Sequence, residues 1–205
     1  MSFCQKASES LARPILFSKR QSMREIEVKI LDIDKEAVEK KLALLGAKKA
    51  FEGVIEAYYL DFHDLRLRKS GKALRLRKEN NKAVLTLKQK IHNKNFKIRN
   101  EYEIEVSDFT KTQRILQLLG LRIFSGLKKK RTSYSLGEIH LEIDKYLGRY
   151  SFVPEFLEIE SEDERLIYKY AEMLGFKPKD CRPWTMIDTI NHYKASKPNK
   201  HRNRR

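Results

Sequence analysis

Three short stretches carry a carboxylate at alternate positions: EIEVKI at 25–30, EYEIEV at 101–106 and FLEIES at 156–161. In the first, Glu25, Glu27 and Lys29 alternate with Ile26, Val28 and Ile30. That is the period of a strand with one charged and one apolar face. Other stretches place cations on the same kind of face. Arg75 and Arg77 share one in KALRLRKE, Lys88 follows Val84 and Thr86 in AVLTLKQK, and Lys129 and Arg131 precede Ser133 in LKKKRTSYS. EIHLEIDKY adds His140, Glu142 and Asp144. Carboxylates in rows are hard oxygen ligands, suited to Mg²⁺ or Mn²⁺. Rows of Arg and Lys suit phosphate oxygens, Arg bidentately. Placed together they fit a metal-bound polyphosphate, whose transfer needs positioning and charge neutralisation more than covalent chemistry.

The elements that must position these rows recur. EIEVKI leads through Asp32 and Asp34 to a helix with Val38, Leu42 and Leu45 on its apolar side and Gly46 as a stop. EYEIEV leads to a helix capped by Ser107 or Asp108, with Ile115, Leu118 and Leu119 as its stripe and Gly120 at its end. FLEIES leads to a third, where Ser161 with Glu164 fits a capping box and Gly175 ends the helix. With the other runs, including VIEAYYLD at 54–61, this gives about eight strands and three helices in an antiparallel-leaning order. An open sheet would put the charged faces in water, whereas a closed barrel would put them in a lumen. Two features favour closure: the helices need the one apolar surface that the sheet supplies, and the charge sign differs from strand to strand.

The chain of 205 residues can form one domain with a sizeable core. Its formal net charge of +16 favours an anionic partner. Cys4 and Cys181 match no metal spacing and suit a reducing, cytoplasmic compartment. No apolar run reaches the roughly 18–20 residues of a membrane span. Residues 1–22 read as an unstructured extension ahead of Met23, with a transit-type peptide as the alternative. Residues 194–205 read as a disordered basic tail, the one stretch suited to nucleic acid.

Glu25-x-Glu27-x-Lys29 resembles the ExExK signature of the CYTH superfamily, the class IV adenylate cyclases and thiamine triphosphatases also called triphosphate tunnel metalloenzymes. ALRLR at 73–77, LTLK at 85–88, RNEYEIEV at 99–106, KKRTSY at 129–134, HLEIDKYLG at 140–148 and FLEIE at 156–160 follow in the family's order. The resemblance spans residues 23 to about 193, read as one domain. It implies an α+β fold: an eight-stranded antiparallel closed β-barrel, the triphosphate tunnel, with amphipathic helices packed outside. It also implies Glu25, Glu27, Asp144, Glu158 and Glu160 as ligands of Mg²⁺ or Mn²⁺. Lys29, Arg75, Arg77, Lys88 and Arg131 become triphosphate ligands, with Lys29 and Glu27 closest to the chemistry.

Other residues take lesser roles in this reading. Glu101, Glu103 and Glu105 balance the cations, Glu103 being the one most suited to more. Glu142 is a ligand or a salt-bridge partner. Lys128, Lys129 and Lys130 are solvated or at the tunnel mouth. His63, His92 and His140 form no metal-spaced set, and Tyr58, Tyr59 and Trp184 read as core or rim. Lys179, Arg182 and Lys194 compete for the role of last phosphate ligand.

The function expected is hydrolysis of inorganic triphosphate, thiamine triphosphate or ATP. The alternatives are cyclisation of ATP to cyclic AMP and pyrophosphate, and a non-catalytic polyphosphate- or nucleotide-binding module. LLGA at 44–47 and RNEYEIEV lie nearer the cyclase-like branch, but a shared anion site does not fix the nucleophile.

Overall fold

A computed structural model describes residues 23–93 and 95–195. The extension read over 1–22 and residues 196–205 of the basic tail lie outside the described residues. The strands and helices run in the order β1 (Met23–Ile30), α1 (Lys35–Leu44), β2 (Lys48–Asp61), α2 (Arg66–Lys69), β3 (Lys72–Glu79), β4 (Lys82–Ile91) and β5 (Lys97–Val106). There follow α3 (Phe109–Leu118), β6 (Arg122–Leu136), β7 (Ile139–Tyr146), β8 (Phe156–Ser161), α4 (Glu164–Met173) and α5 (Met186–Ala195). The strands close into one barrel in the order β1-β5-β4-β3-β2-β6-β7-β8, every pair antiparallel.

Alternation sends one parity outward. Ile26, Val28, Leu141, Ile143, Leu157 and Ile159 are buried under Val38 and Leu42 of α1 and Ile167 and Ala171 of α4. Burying each large apolar side chain stabilises the fold by roughly 1.5–3 kcal/mol. Asp34 caps α1 by accepting from the Ala37 amide at 3.0 Å. Gly46 and Gly175, just past α1 and α4, take φ of 76° and 87°, a left-handed backbone that glycine adopts without a Cβ clash.

The helices depart from the sequence reading in four places. α4 is capped by Asp163, which accepts from the Arg165 amide at 2.9 Å, while Ser161 accepts from the Asp163 amide. A cap two residues further along thus displaces the Ser161–Glu164 box. α3 packs through Phe109 and Leu116 onto Leu60 and Leu76, leaving Ile115, Leu118 and Leu119 exposed. α2 and α5 were not anticipated. α2 is set by Asp61, which is 2 % exposed and accepts from the Phe62, Leu67 and Arg68 amides at 2.7–3.0 Å. α5 runs to Ala195, two residues into the stretch read as tail.

α5 closes one end of the barrel. The backbone of Arg182 pairs with Lys29 of β1 through two 2.8 Å bonds, and Tyr193 donates to Asp32 at 2.7 Å. Ile190 then meets Leu127, Tyr146 and Phe156, which share the inward parity of their strands. The lumen therefore has an apolar floor at that end. Among the described residues no helix is long and apolar enough to cross a membrane.

Candidate active site

Inward parity places the charged rows in one tunnel. Glu25, Glu27 and Lys29 of β1 line it with Arg75 and Arg77 of β3 and Lys88 of β4. Lys97, Arg99, Glu101, Glu103 and Glu105 of β5 join them, as do Lys129 and Arg131 of β6, Glu142 of β7, and Glu158 and Glu160 of β8. Asp144 is fully buried beside Arg131, its register partner. Every carboxylate and cation named above as a ligand therefore faces this lumen or its wall.

The register divides the carboxylates into two sets, each with oxygens within 4.8 Å of one another: Glu25, Glu27 and Glu160, and Glu142, Asp144 and Glu158. Glu27 lies opposite Glu160 across the β1–β8 pair, and Glu142 lies opposite Glu158 across β7–β8.

Every acid of the second set has a cation partner, although Glu142 Oε2 is a buried acceptor without a hydrogen bond. Arg131 forks onto Asp144 at 2.7 and 2.6 Å, reaches Glu158 at 2.7 Å and pairs with Glu142. Lys129 reaches Asp144 at 2.6 Å and Lys29 pairs with Glu158. Burial alone would raise the Glu158 carboxyl, but Lys29, Lys129 and Arg131 hold it well below the usual range. Burial lifts Glu142 to about 7 despite Arg131 and Lys129.

The first set is not matched. Lys88 binds Glu25 at 2.8 and 2.6 Å, and Lys29 and Lys97 pair with Glu27. Burial pushes Glu25 up, and Lys88 and Lys97 override it and hold the acid well below its ordinary value. Glu160 has neither an ion pair nor a hydrogen bond among the described residues. Its burial, and the charges of Glu142, Glu25 and Glu27, push it well above the usual carboxylate range. The opposite wall has the reverse shortage. The Nε atoms of Arg75 and Arg77 are buried donors without an acceptor, although Arg77 Nε lies 3.3 Å from Glu79 without hydrogen-bond geometry. Thr86 donates to Glu103 at 2.9 Å and holds it near both arginines.

Two cations were missed and one was misjudged. Lys97 and Arg99 precede Glu101 on the same parity, so the alternation that marks the glutamates marks them as well. Lys129, read as solvated or at the mouth, has a side chain only 13 % exposed against Asp144. Its neighbours Lys128 and Lys130 point outward and are exposed. Burial lowers Lys97 and is only partly offset by Glu27. Of the three candidates for a last phosphate ligand, Lys194 lines the tunnel. Arg182 instead lies over the Trp184 ring at 5.2 Å.

Known proteins share this architecture. A protein of Methanocaldococcus jannaschii, provisionally named an adenylate cyclase, is 29% identical over 158 residues, covering 74% of this chain and 88% of its own. The solved structure of the PH1012 protein of Pyrococcus horikoshii is 29% identical with a TM-score of 0.68, over 82% of this chain and 99% of that one. A Hippeastrum protein, described as a provisional adenylyl cyclase with a dominant triphosphatase activity, has a TM-score of 0.57 at 14% identity, over 88% and 99%, a likeness of fold alone. The CYTH domain model matches residues 23–178, and with a closed eight-stranded tunnel lined by the ExExK strand, this chain belongs to the CYTH domain family.

Proposed function

We propose that the protein is a metal-dependent hydrolase of a triphosphate held in the tunnel. One observation carries the reading: the lumen is short of a cation on the Glu25–Glu27–Glu160 side and short of acceptors at Arg75 and Arg77. A divalent cation with a polyanion supplies both. Three carboxylates with oxygens within 4.8 Å suit a hard cation such as Mg²⁺ or Mn²⁺. Bound there, it would supply Lewis-acid stabilisation of charge on the phosphoryl oxygens.

The chain's own residues do the rest. Arg75, Arg77, Lys88 and Arg131 donate to phosphate oxygens, and Lys29 orders Glu27 and Glu158 while adding its charge. Lys129 and Lys97 extend the cationic wall. Glu103 keeps the two arginines aimed into the lumen. Asp144 and Glu158 act as the anchors of Arg131, with Glu142 beside them. Water then attacks a terminal phosphorus and the P–O bond to the bridging oxygen breaks, leaving phosphate and the shortened phosphate chain.

Cyclisation of ATP is the second reading, favoured by the name of the Methanocaldococcus jannaschii relative. A product assay separates the two. Inorganic triphosphate, thiamine triphosphate and ATP are supplied with Mg²⁺ or Mn²⁺, and phosphate, pyrophosphate and cyclic AMP are resolved. Phosphate without cyclic AMP is the expected result. Cyclic AMP with equal pyrophosphate would make it a cyclase, and no product from folded protein would make it a binding module.

A further inference from the structure

We infer that Thr86 is a positioning residue: its hydroxyl holds Arg75 short of Glu101 and Glu103, and so keeps the guanidinium open to a phosphate oxygen. This rests on the triphosphate reading above. Thr86 is fully buried and sits between Val84 and Lys88 in the inward row of β4. The register sets it directly opposite Arg75 on β3 and directly opposite Glu103 on β5. Its hydroxyl therefore stands between a cation and a carboxylate of the two flanking strands. It donates to Glu103 Oε2 at 2.9 Å and accepts from Arg75 Nη2 at 3.4 Å. A guanidinium only donates and a carboxylate only accepts, whereas a hydroxyl does both. With its one proton committed to Glu103, the Thr86 oxygen presents lone pairs to Arg75.

The distances show what this link prevents. Arg75 Nη2 lies 3.8 Å from Glu101 and 3.9 Å from Glu103, within Coulombic reach of both and beyond a hydrogen bond to either. Its Nε is buried without an acceptor. Arg75 thus has one long bond to a neutral hydroxyl and no ion pair closer than 3.8 Å among the described residues. Arg131 differs: it forks onto Asp144 at 2.7 and 2.6 Å and reaches Glu158 at 2.7 Å. An arginine locked in such a fork has few donors left for a ligand, whereas the donors of Arg75 stay nearly all free. The same contact engages Glu103, whose Oε1 is left to accept from Arg77 Nη2 at 3.3 Å. Valine has nearly the shape of threonine and no hydroxyl. In its place Arg75 and Glu103 would each lose a partner, and the nearest replacement for each is the other. A direct Arg75–Glu103 pair would then compete with phosphate for the guanidinium.

The test is calorimetry of inorganic triphosphate and of ATP binding to the full chain with Mg²⁺, comparing the unaltered protein with Thr86→Val and Thr86→Ser. For whichever probe binds the tighter, Thr86→Val should weaken binding roughly tenfold, the order expected when a hydrogen bond at a charged group is lost. Thr86→Ser keeps the hydroxyl and should restore most of the affinity. In steady-state hydrolysis the loss in Thr86→Val should lie in KM, because the phosphate contact of Arg75 is made in the ground state as well. Because Thr86 acts through Arg75, Thr86→Val should add little to the loss in an Arg75→Met background. Unchanged binding in Thr86→Val, no restoration by Thr86→Ser, a loss in kcat alone, or an equal further loss in Arg75→Met would overturn the inference and leave the triphosphate reading standing. Failure of the unaltered protein to bind inorganic triphosphate and ATP alike would overturn that reading and this inference with it.

Discussion

The two carboxylate sets of the tunnel have the same chemistry and different company. Glu142, Asp144 and Glu158 are met by Arg131, Lys129 and Lys29. Glu25, Glu27 and Glu160 meet Lys88, Lys97 and the shared Lys29, and Glu160 has no ion pair among the described residues. A buried acid cluster in which every acid has a cation partner is structural electrostatics, and losing one partner there leaves an uncompensated charge. A cluster with one acid left without a cation is poised to gain one. The difference separates the part of the lumen that holds the arginine wall in place from the part suited to metal.

The comparison predicts opposite mutant behaviour. Arg131→Met should produce the largest effect, a loss of about 3–5 kcal/mol in urea unfolding, because three buried carboxylates lose their fork. Little loss would mean that water already serves that set. Glu27→Gln should abolish metal-dependent turnover. It should also lower stability, since Glu27 is 3% exposed and neutralises Lys29 and Lys97. Glu160→Gln should abolish turnover with the unfolding midpoint unchanged or raised, because the amide mimics an acid that already favours its proton.

Dependence on pH sharpens the contrast. Glu142, lifted to about 7, and Glu160, lifted well above its usual range, bind protons more tightly in the folded chain. Without metal, stability should therefore fall as pH rises from the ordinary carboxyl value of 4.5 towards 7. Glu25 and Glu158 act oppositely. Their contribution is present above 4.5 and is lost as pH drops below it. Because a carboxylate must lose its proton to ligate, Mn²⁺ affinity should rise with pH, and calorimetry in buffers of different ionisation heat should record proton release. The smallest effect is expected of Lys97→Met, which removes a cation from Glu27 and should tighten Mn²⁺ binding a few-fold. Weaker binding would mean that Lys97 orders the set rather than competes with metal.

Much of this was legible in the sequence. Alternation fixed which side chains share a face, and the change of charge sign between strands argued for a lumen over a wetted sheet. The division into two sets was not legible, because it depends on inter-strand stagger: Glu160 faces Glu27 while Glu158, two residues away, faces Lys29 and Glu142. Alternation does not encode that offset. Lys97 and Arg99 were legible and overlooked, since their parity is that of Glu101. The wrong face was read for α3 because Ile115, Leu118 and Leu119 form a better apolar stripe than the Phe109 and Leu116 that pack, and packing is decided by the barrel wall beneath. α5 has a weaker pattern, and its place comes from the backbone bridge between Arg182 and Lys29.

Mn²⁺ titration by calorimetry of the unaltered protein, Glu160→Gln and Glu142→Gln tests the central claim most directly. The account predicts that Glu160→Gln loses the site while Glu142→Gln keeps it. Retention by Glu160→Gln with loss in Glu142→Gln would place the metal in the set already filled by Arg131 and would contradict the account.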